Sequence, residues 1–466
     1  MAAFAGADDS PSAGVTAIDA PLRLSRRLRI GYATGSLVTG AFGTVPGLLL
    51  PPYLTNSLGV SAAVASMVVL LPKAWDVLVN PLAGRLSDRT NTRWGARRPY
   101  LLVAGLALAV LFVAIFAGVA SGGGGALWVG FAFLAAATAF AFFQVPYVAM
   151  PADMTERAGL TDPYGERTRM MTWRVAFLAL TILVSGAIAP IVRDQFGGGV
   201  PGHRAMGVFI AVMMVVGTVC VFVFTRDAPL GTIVASEPSM RAQLRVASQN
   251  KPFRVLVLCF VVQAAGVGAM LAGVQYFADE VLHNHGATTL LFVCVVGPAI
   301  LVMPAWNRVG AQLGKLRGYV LASLLITVGT LGLVTAPLLP VVAVYGIVAV
   351  IGVGYAGQQL FGLAMLPDCI SYDTARTGKR QAGVFTGLWT AGETLGLAVG
   401  PYVFLQILGL FGYVSSTTGR AAPQTHTAEL GVLLGFTVVP GLVVGLALLF
   451  LRAYDLGDHP RLVRGA

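Results

Sequence analysis

The sequence predicts an all-α membrane protein with twelve transmembrane helices in two six-helix halves. Three observations carry this. Only 11% of the 466 residues are charged and 56% are hydrophobic, against about 25% charged in an ordinary soluble domain. Long apolar runs, each near the ~20 residues that a helix needs to cross a bilayer, recur along the whole chain. Lys and Arg gather in alternate connections between those runs. A soluble chain with so little charge would present a sticky surface, whereas a bundle in lipid needs apolar residues both inside and out.

In chain order, residues 1–29 read as a tail. Through Ala20 it is small, polar and acidic with no apolar segment, so it reads as disordered and not as a signal peptide. Residues 30–225 form the first half, with apolar runs near 31–56, 61–84, 99–120, 126–150, 171–192 and 205–225. Residues 226–251, with Asp227, Glu237, Arg241 and Arg245, read as a polar linker. The second half, 252–453, has runs near 252–278, 287–306, 318–338, 340–366, 382–412 and 429–453, and 454–466 form a second tail.

Orientation follows from the cations. Arg23, Arg26, Arg27 and Arg29 precede the first span. The second-to-third connection carries Arg85, Arg89, Arg93, Arg97 and Arg98, and the fourth-to-fifth Arg157, Arg167 and Arg169. The linker region, the eighth-to-ninth connection (Arg308, Lys315, Arg317), the tenth-to-eleventh (Arg376, Lys379, Arg380) and the C-terminal tail continue the pattern. The other side holds only Arg193, Arg204 and Arg420. This bias predicts cytoplasmic termini in a cell (inner) membrane.

The net charge of +11 does not point to nucleic acid. Not one Lys or Arg lies between Tyr100 and Pro151, and the cations sit between apolar runs instead of on one folded face. Cys220, Cys259, Cys294 and Cys369 lie in or beside apolar stretches without zinc-ligand spacing. The five histidines, His203, His283, His285, His426 and His459, read as loop or tail residues. Gly122 to Gly125 reads as a glycine loop that lacks the strand and the Lys-Ser/Thr of a phosphate cradle. With no nucleophile–base pair, an enzyme is not expected, and no cofactor is implied.

The halves repeat one another. Ala149-Met150-Pro151-Ala152-Asp153 ends the fourth span and Ala364-Met365-Leu366-Pro367-Asp368 the tenth. Pro81 precedes Arg85 by four residues at the end of the second span, as Pro304 precedes Arg308 at the eighth. Parallel repeats of this kind build a central cavity with alternating access.

Ionisable groups at membrane depth are costly unless paired or hydrated, so they mark function. Lys73, Asp76, Arg174 and Glu393 qualify. Lys73 and Asp76 are three residues apart on one helix face and could pair, either as a structural lock or with Asp76 holding a coupling cation or proton. Arg174 reads either as an interfacial anchor or as a cavity cation. Glu393, between Gly392 and Gly396, requires a partner from another span or a proton. Gln144, Pro146 and Tyr147 interrupt span four; Gln263 and Gln275 occupy span seven, and Gln358 and Gln359 span ten. Each of these amides either lines a cavity or bonds between helices. Trp75, Trp173 and Trp389 either stack on a sugar ring or pack between helices.

The stretch from Lys73-Ala74-Trp75-Asp76 through Asn80-Pro81, then Asp88 and Arg93-Trp94-Gly95-Ala96-Arg97-Arg98-Pro99, resembles the glycoside–pentoside–hexuronide:cation symporters of the major facilitator superfamily. The family pattern is basic-x-W-D-x-x-x-D-P followed by R-W-G-x-basic-basic-P. The resemblance covers 24–455 and implies the major facilitator fold and cation-coupled transport of a sugar-like solute. Of the candidate residues it carries Asp76, Tyr147 and Arg174; together with the buried polar groups above, the candidate cation or proton set is Asp76, Asn80, Lys73 and Glu393, and the candidate substrate set is Gln144, Tyr147, Arg174, Gln359 and Trp389. Gly84, Asp88, Arg89, Arg97 and Arg98 resemble the superfamily's cytoplasmic gating loop, where Asp88 would face a helix N-terminus of the other half.

Departures bear on the coupling ion and the solute. Asn80 stands where the family's melibiose permease has a second carboxylate, Gln144 where it has an acidic sugar-binding residue, and Glu393 where it has a lysine. Ser36 to Thr39 offer no acid where its other sugar-binding carboxylate lies. The expected partners are a small solute, a sugar or glycoside, and membrane lipid, with the chain acting as a monomer. The coupling cation is H+ or Na+. The alternative is an uncoupled facilitator, or a proton-driven transporter of an amphipathic, lipid-like solute.

Overall fold

The computed structural model describes residues 24–456, apart from 91, 158–159, 161, 227, 229–239 and 379–381. Residues 1–23 of the first tail, residues 227 and 229–239 of the expected linker, Lys379, Arg380 and the tail from 457 on therefore lie outside the described residues.

The described chain is a helical bundle. Spans one to six are Arg26–Ser57, Ala62–Arg89, Arg98–Ile115, Gly122–Thr155, Gly165–Gln195 and Gly199–Phe224. Span seven is Lys251–Val281, preceded by a short helix, Met240–Gln249. Span eight is a broken pair, Ala287–Leu301 and Met303–Leu313. Spans nine to twelve are Lys315–Leu338, Val341–Thr377, Gly383–Leu410 and His426–Leu451. Counting the broken pair as one span gives twelve.

Sequence chemistry accounts for the irregularities. Span eight bends by 48° at its break. Pro298 and Pro304 flank the bend, and each withholds a backbone N–H from the helical ladder. Span one breaks at Thr34 and Gly35. A side chain at Gly35 would meet the ring of Tyr147 at 2.4 Å, so glycine is what lets span four approach this closely. Spans one and seven both end in a single π turn, Tyr53–Ser57 and Phe277–Val281. The two turns fall at equivalent places in the two repeats.

Three expectations need correction. Gly122–Gly125 form the first turn of span four rather than a loop. Span six begins at Gly199, six residues early, because it starts directly after a turn of positive-φ glycines, Gly197 and Gly198. His203 therefore lies inside a helix, buried between Tyr53 and Phe116. Span eight continues to Leu313, so Arg308 is a helical residue.

Call the side that carries Leu24 and Tyr454 the tail side. One hydrophobic cluster runs through the first half from Leu24 upward and crosses into the second half at the far side, where it takes in Leu54, Ala65, Phe116, Tyr276, Leu291, Phe404 and Phe436. Towards the tail side the second half has its own separate cluster around Phe253, Phe260, Trp306, Phe361 and Trp389. The hydrogen bonds that join the halves gather at the far side: Thr55 Oγ1 with Tyr276 Oη (2.7 Å), Gln406 Nε2 to Ser66 Oγ (2.9 Å), Tyr413 Oη to Asn56 Oδ1 (3.1 Å), and Arg193 to Gln275.

Candidate functional site

The buried charges of the sequence fall on both walls between the halves. Ala63 lies against Gly409 at the far side, and Ser66 bonds Gln406. From that seam, spans two and eleven run antiparallel towards the tail side. At 1.5 Å per residue, Asp76 and Glu393 lie about 15 and about 20 Å below it, within one helical turn of each other in depth.

Lys73 and Asp76 share span two but form no ion pair with each other. The Lys73 ammonium sits over the rings of Phe42 (5.0 Å) and Phe133 (5.9 Å), a cation–π setting that spans one and four provide. Asp76 is 4% exposed, and its Oδ1 is buried without a hydrogen-bond partner. The expected pairing is thus replaced by a lysine turned onto aromatic faces and a carboxylate with a vacant acceptor. Asn80, one turn on, is half-buried.

Arg174 points inward instead of snorkelling to an interface. Its guanidinium lies 5.4 Å from the Tyr147 ring centre, and its Nε is buried without a partner. Tyr147 stacks on Tyr32 at 4.7 Å, donates to the Tyr32 carbonyl at 3.0 Å and lies 3.2 Å from Ser36 Oγ. Ser36 in turn donates to the Arg174 carbonyl at 3.0 Å. Spans one, four and five are thereby tied behind the guanidinium. Tyr147 is fully buried here, so it supports Arg174 and does not itself face an opening. Gln144 is half-buried on the same helix.

On the other wall, Glu393 accepts from Gln359 Nε2 at 3.2 Å, and the same amide donates to Tyr355 Oη at 3.1 Å. Span ten therefore supplies the partner that Glu393 lacks on its own helix. Trp389 is 2% exposed and stacks on Phe260 at 4.1 Å, so the structure assigns it to packing between spans seven and eleven. Gln263 is also structural: it accepts from Tyr319 and Gln358 and donates to Ser323 and the Val444 carbonyl. Trp75, half exposed, donates to Thr138 at 3.0 Å.

The expected gating loop is ordered within its own half. Arg97 reaches Asp88 at 2.5 Å, Asp153 at 3.0 Å and Ser87 at 2.6 Å, clasping the ends of spans two and four. Asp88 thus meets Arg97 and not a helix of the other half. Arg98 lies over Phe222 and donates to its carbonyl at 2.8 Å, and Arg89 is exposed. Gly84 accepts through its carbonyl from Ser87. The second half repeats the clasp with Lys315 and Asp368 at 2.7 Å.

The far-side seam was not legible as a site. Thr55 and Asn56 bond across it to Tyr276 and Tyr413, and Tyr413 also donates to Glu280 of its own half; of its members the sequence marks Arg193, by topology, and Gln275, as a span-seven amide. Burial, with Tyr276 and Glu280 beside it, pushes the Tyr413 phenol well above its ordinary value, which keeps it a donor.

A bundle of this span count, its halves joined by hydrogen bonds at one end and carrying buried charge on the spans that run down from it, is that of a secondary transporter with the major facilitator fold. The chain belongs to the family described as MFS/sugar transport protein, which it matches over residues 31–458. It is 26% identical to the glucuronide carrier protein homolog of Escherichia coli (strain K12), covering 94% of each chain. It is 24% identical to the isoprimeverose transporter of Lactiplantibacillus pentosus, over 92% of this chain and 88% of that one. Among solved structures it is similar to a bacterial homolog of the human lysosomal transporter Spinster in an inward-facing conformation, with a TM-score of 0.65 at 14% identity over 92% and 95% of the two chains. It is a multi-pass membrane transporter.

Proposed function

We propose that the protein imports a sugar-like solute, a glycoside or small oligosaccharide, in symport with a cation, by alternating access. The carrying observation is the vacant, buried carboxylate oxygen of Asp76 at the level where Arg174 and Glu393 line the two walls. The names of the relatives, a glucuronide carrier homolog and an isoprimeverose transporter, support the solute class. The division into halves at 30–225 and 252–453, with both termini cytoplasmic, belongs to the same reading, which makes the conformation inward-facing.

Protons suit this site better than sodium. A sodium ion draws on several oxygen ligands and favours more than one negative charge, whereas Asn80 brings an oxygen without charge. A proton needs a single carboxylate oxygen, which Asp76 offers.

The test is uptake into proteoliposomes of a panel of β-glucuronides, isoprimeverose and related glycosides, with an imposed pH gradient or an imposed sodium gradient. Accumulation driven by the pH gradient, with alkalinisation outside in sodium-free medium, is expected. Strict sodium dependence without a proton signal overturns the ion assignment. Equilibration without accumulation under either gradient means uncoupled facilitation.

A further inference from the structure

We propose that residues 411–425, between spans eleven and twelve, form a strap that docks on the unwound end of span one and holds the far-side entrance shut, so that its undocking is the opening step. This rests on backbone chemistry and does not depend on the identity of the solute.

The π turn at the end of span one closes with long bonds, Leu58 N to the Tyr53 carbonyl (3.1 Å) and Val60 N to the Leu54 carbonyl (2.9 Å). The next two carbonyls, of Thr55 and Asn56, are left pointing out of the ladder, as at any helix end. The strap fills them: Ser416 N donates to the Thr55 carbonyl and Gly419 N to the Asn56 carbonyl, each at 2.8 Å. Ser415 Oγ donates to the Val60 carbonyl at 2.8 Å, and Tyr413 Oη reaches Asn56 Oδ1.

The strap is a preformed unit. Gln424 closes its base, accepting from Val414 N and donating to the Val414 carbonyl, both at 2.9 Å, and Ser416 bonds Thr418 at 2.8 Å. It also reaches past span one. Gly419 has φ +81°, and a Cβ there would meet the Gly199 Cα at 2.2 Å, so its backbone is pressed on the start of span six. The arrangement is one-sided. Span seven ends in the same kind of π turn, with Leu282 N to the Phe277 carbonyl (3.0 Å) and Asn284 N to the Ala278 carbonyl (2.9 Å). Yet the matching connection of the first half, 196–198, is only three residues long and cannot cross the seam. A single strap of the second half therefore clasps the first.

The experiment uses full-length protein in which Cys220, Cys259, Cys294 and Cys369 are replaced by Ala. Ser66→Cys, buried at the seam just below the strap, reports opening to a membrane-impermeant maleimide in vesicles of both orientations. Leu338→Cys, 87% exposed at the far end of span nine, serves as the reference for access from that side. Gly419→Ala, which cannot keep the strap against Gly199, is expected to speed labelling of Ser66→Cys about tenfold, as loss of two net hydrogen bonds implies. Tyr413→Phe and Ser415→Ala leave the backbone unchanged and are expected to raise it a fewfold each; they carry the test if Gly419→Ala fails to fold. Labelling of Leu338→Cys stays constant in all. Unchanged labelling of Ser66→Cys in the folded variants overturns the proposal, because the strap would then ride with one half without restraining the other.

Discussion

Replacing Asp76 with Asn keeps the shape of the side chain and removes its charge. If Asp76 carries the coupling proton, Asp76→Asn abolishes uphill accumulation while exchange of labelled solute across the membrane persists. Parental accumulation in Asp76→Asn refutes the assignment. Glu393 provides the contrast. A glutamine there can still accept from Gln359 through its carbonyl oxygen, so Glu393→Gln keeps the contact between spans ten and eleven. It is expected to retain coupling and to weaken solute affinity. Coupling that survives in Asp76→Asn and disappears in Glu393→Gln would move the proton site to the second half. The sequence singled out these residues because charge in an apolar run is conspicuous. It could not show that Lys73 would turn to Phe42 and Phe133, residues 31 and 60 positions away in the chain, and so leave Asp76 without its expected partner. Trp389 illustrates the same limit: an indole at membrane depth reads alike whether it faces a solute or, as here, Phe260.

At the scale of elements, the Arg97 clasp joins the ends of spans two and four. Arg97 and Asp153 are about nine-tenths buried, and Asp88 is 22% exposed. Truncating the arginine strands two carboxylates, and breaking a buried pair in this way costs about 3 kcal/mol. Arg97→Ala is therefore expected to lower the unfolding temperature clearly in a thermal-shift assay. Asp88→Ala leaves Arg97 its bond to Asp153, so its loss should be about half as large or less. Equal losses would mean that the three groups act as one unit. The repeated Pro-Asp ends of spans four and ten hinted at this arrangement, since both aspartates take a basic partner from the previous connection on the same side, Arg97 in one half and Lys315 in the other. The helices themselves were legible because apolar length and cation placement are written in the sequence. Their breaks were less so: the π turns of spans one and seven contain no proline or glycine, and the start of span six depended on reading glycines as a turn beside a helix.

At the scale of the molecule, the far-side seam decides whether the bundle works by alternating access. Its members are mostly neutral, Thr55, Asn56, Ser66, Gln406, Tyr413 and backbone amides, and neutral polar groups scattered from Thr55 to Tyr413 give no pattern to read. In three dimensions they form one closure, and the spans that carry the buried charges run down from it. A Cβ at Gly409 would stand 3.7 Å from the Cβ of Ala63, within the ~3.5–4.5 Å that a disulfide spans. In the cysteine-free background, Ala63→Cys with Gly409→Cys is expected to cross-link under mild oxidation and to stop transport, with recovery on adding reductant. The clasp at the other end lies within each half, so the cross-link leaves the tail-side opening free. A cysteine at Gly387, on the exposed tail-side part of span eleven, should label equally fast in the oxidised and reduced protein. If the cross-linked protein transports at the reduced protein's rate, spans two and eleven do not part here during the cycle, and the solute does not enter through this seam. If transport stops and labelling at position 387 stops with it, the disulfide has seized the whole bundle instead of one gate. Only loss of transport with labelling preserved fits a molecule that hinges about its central layer of charge.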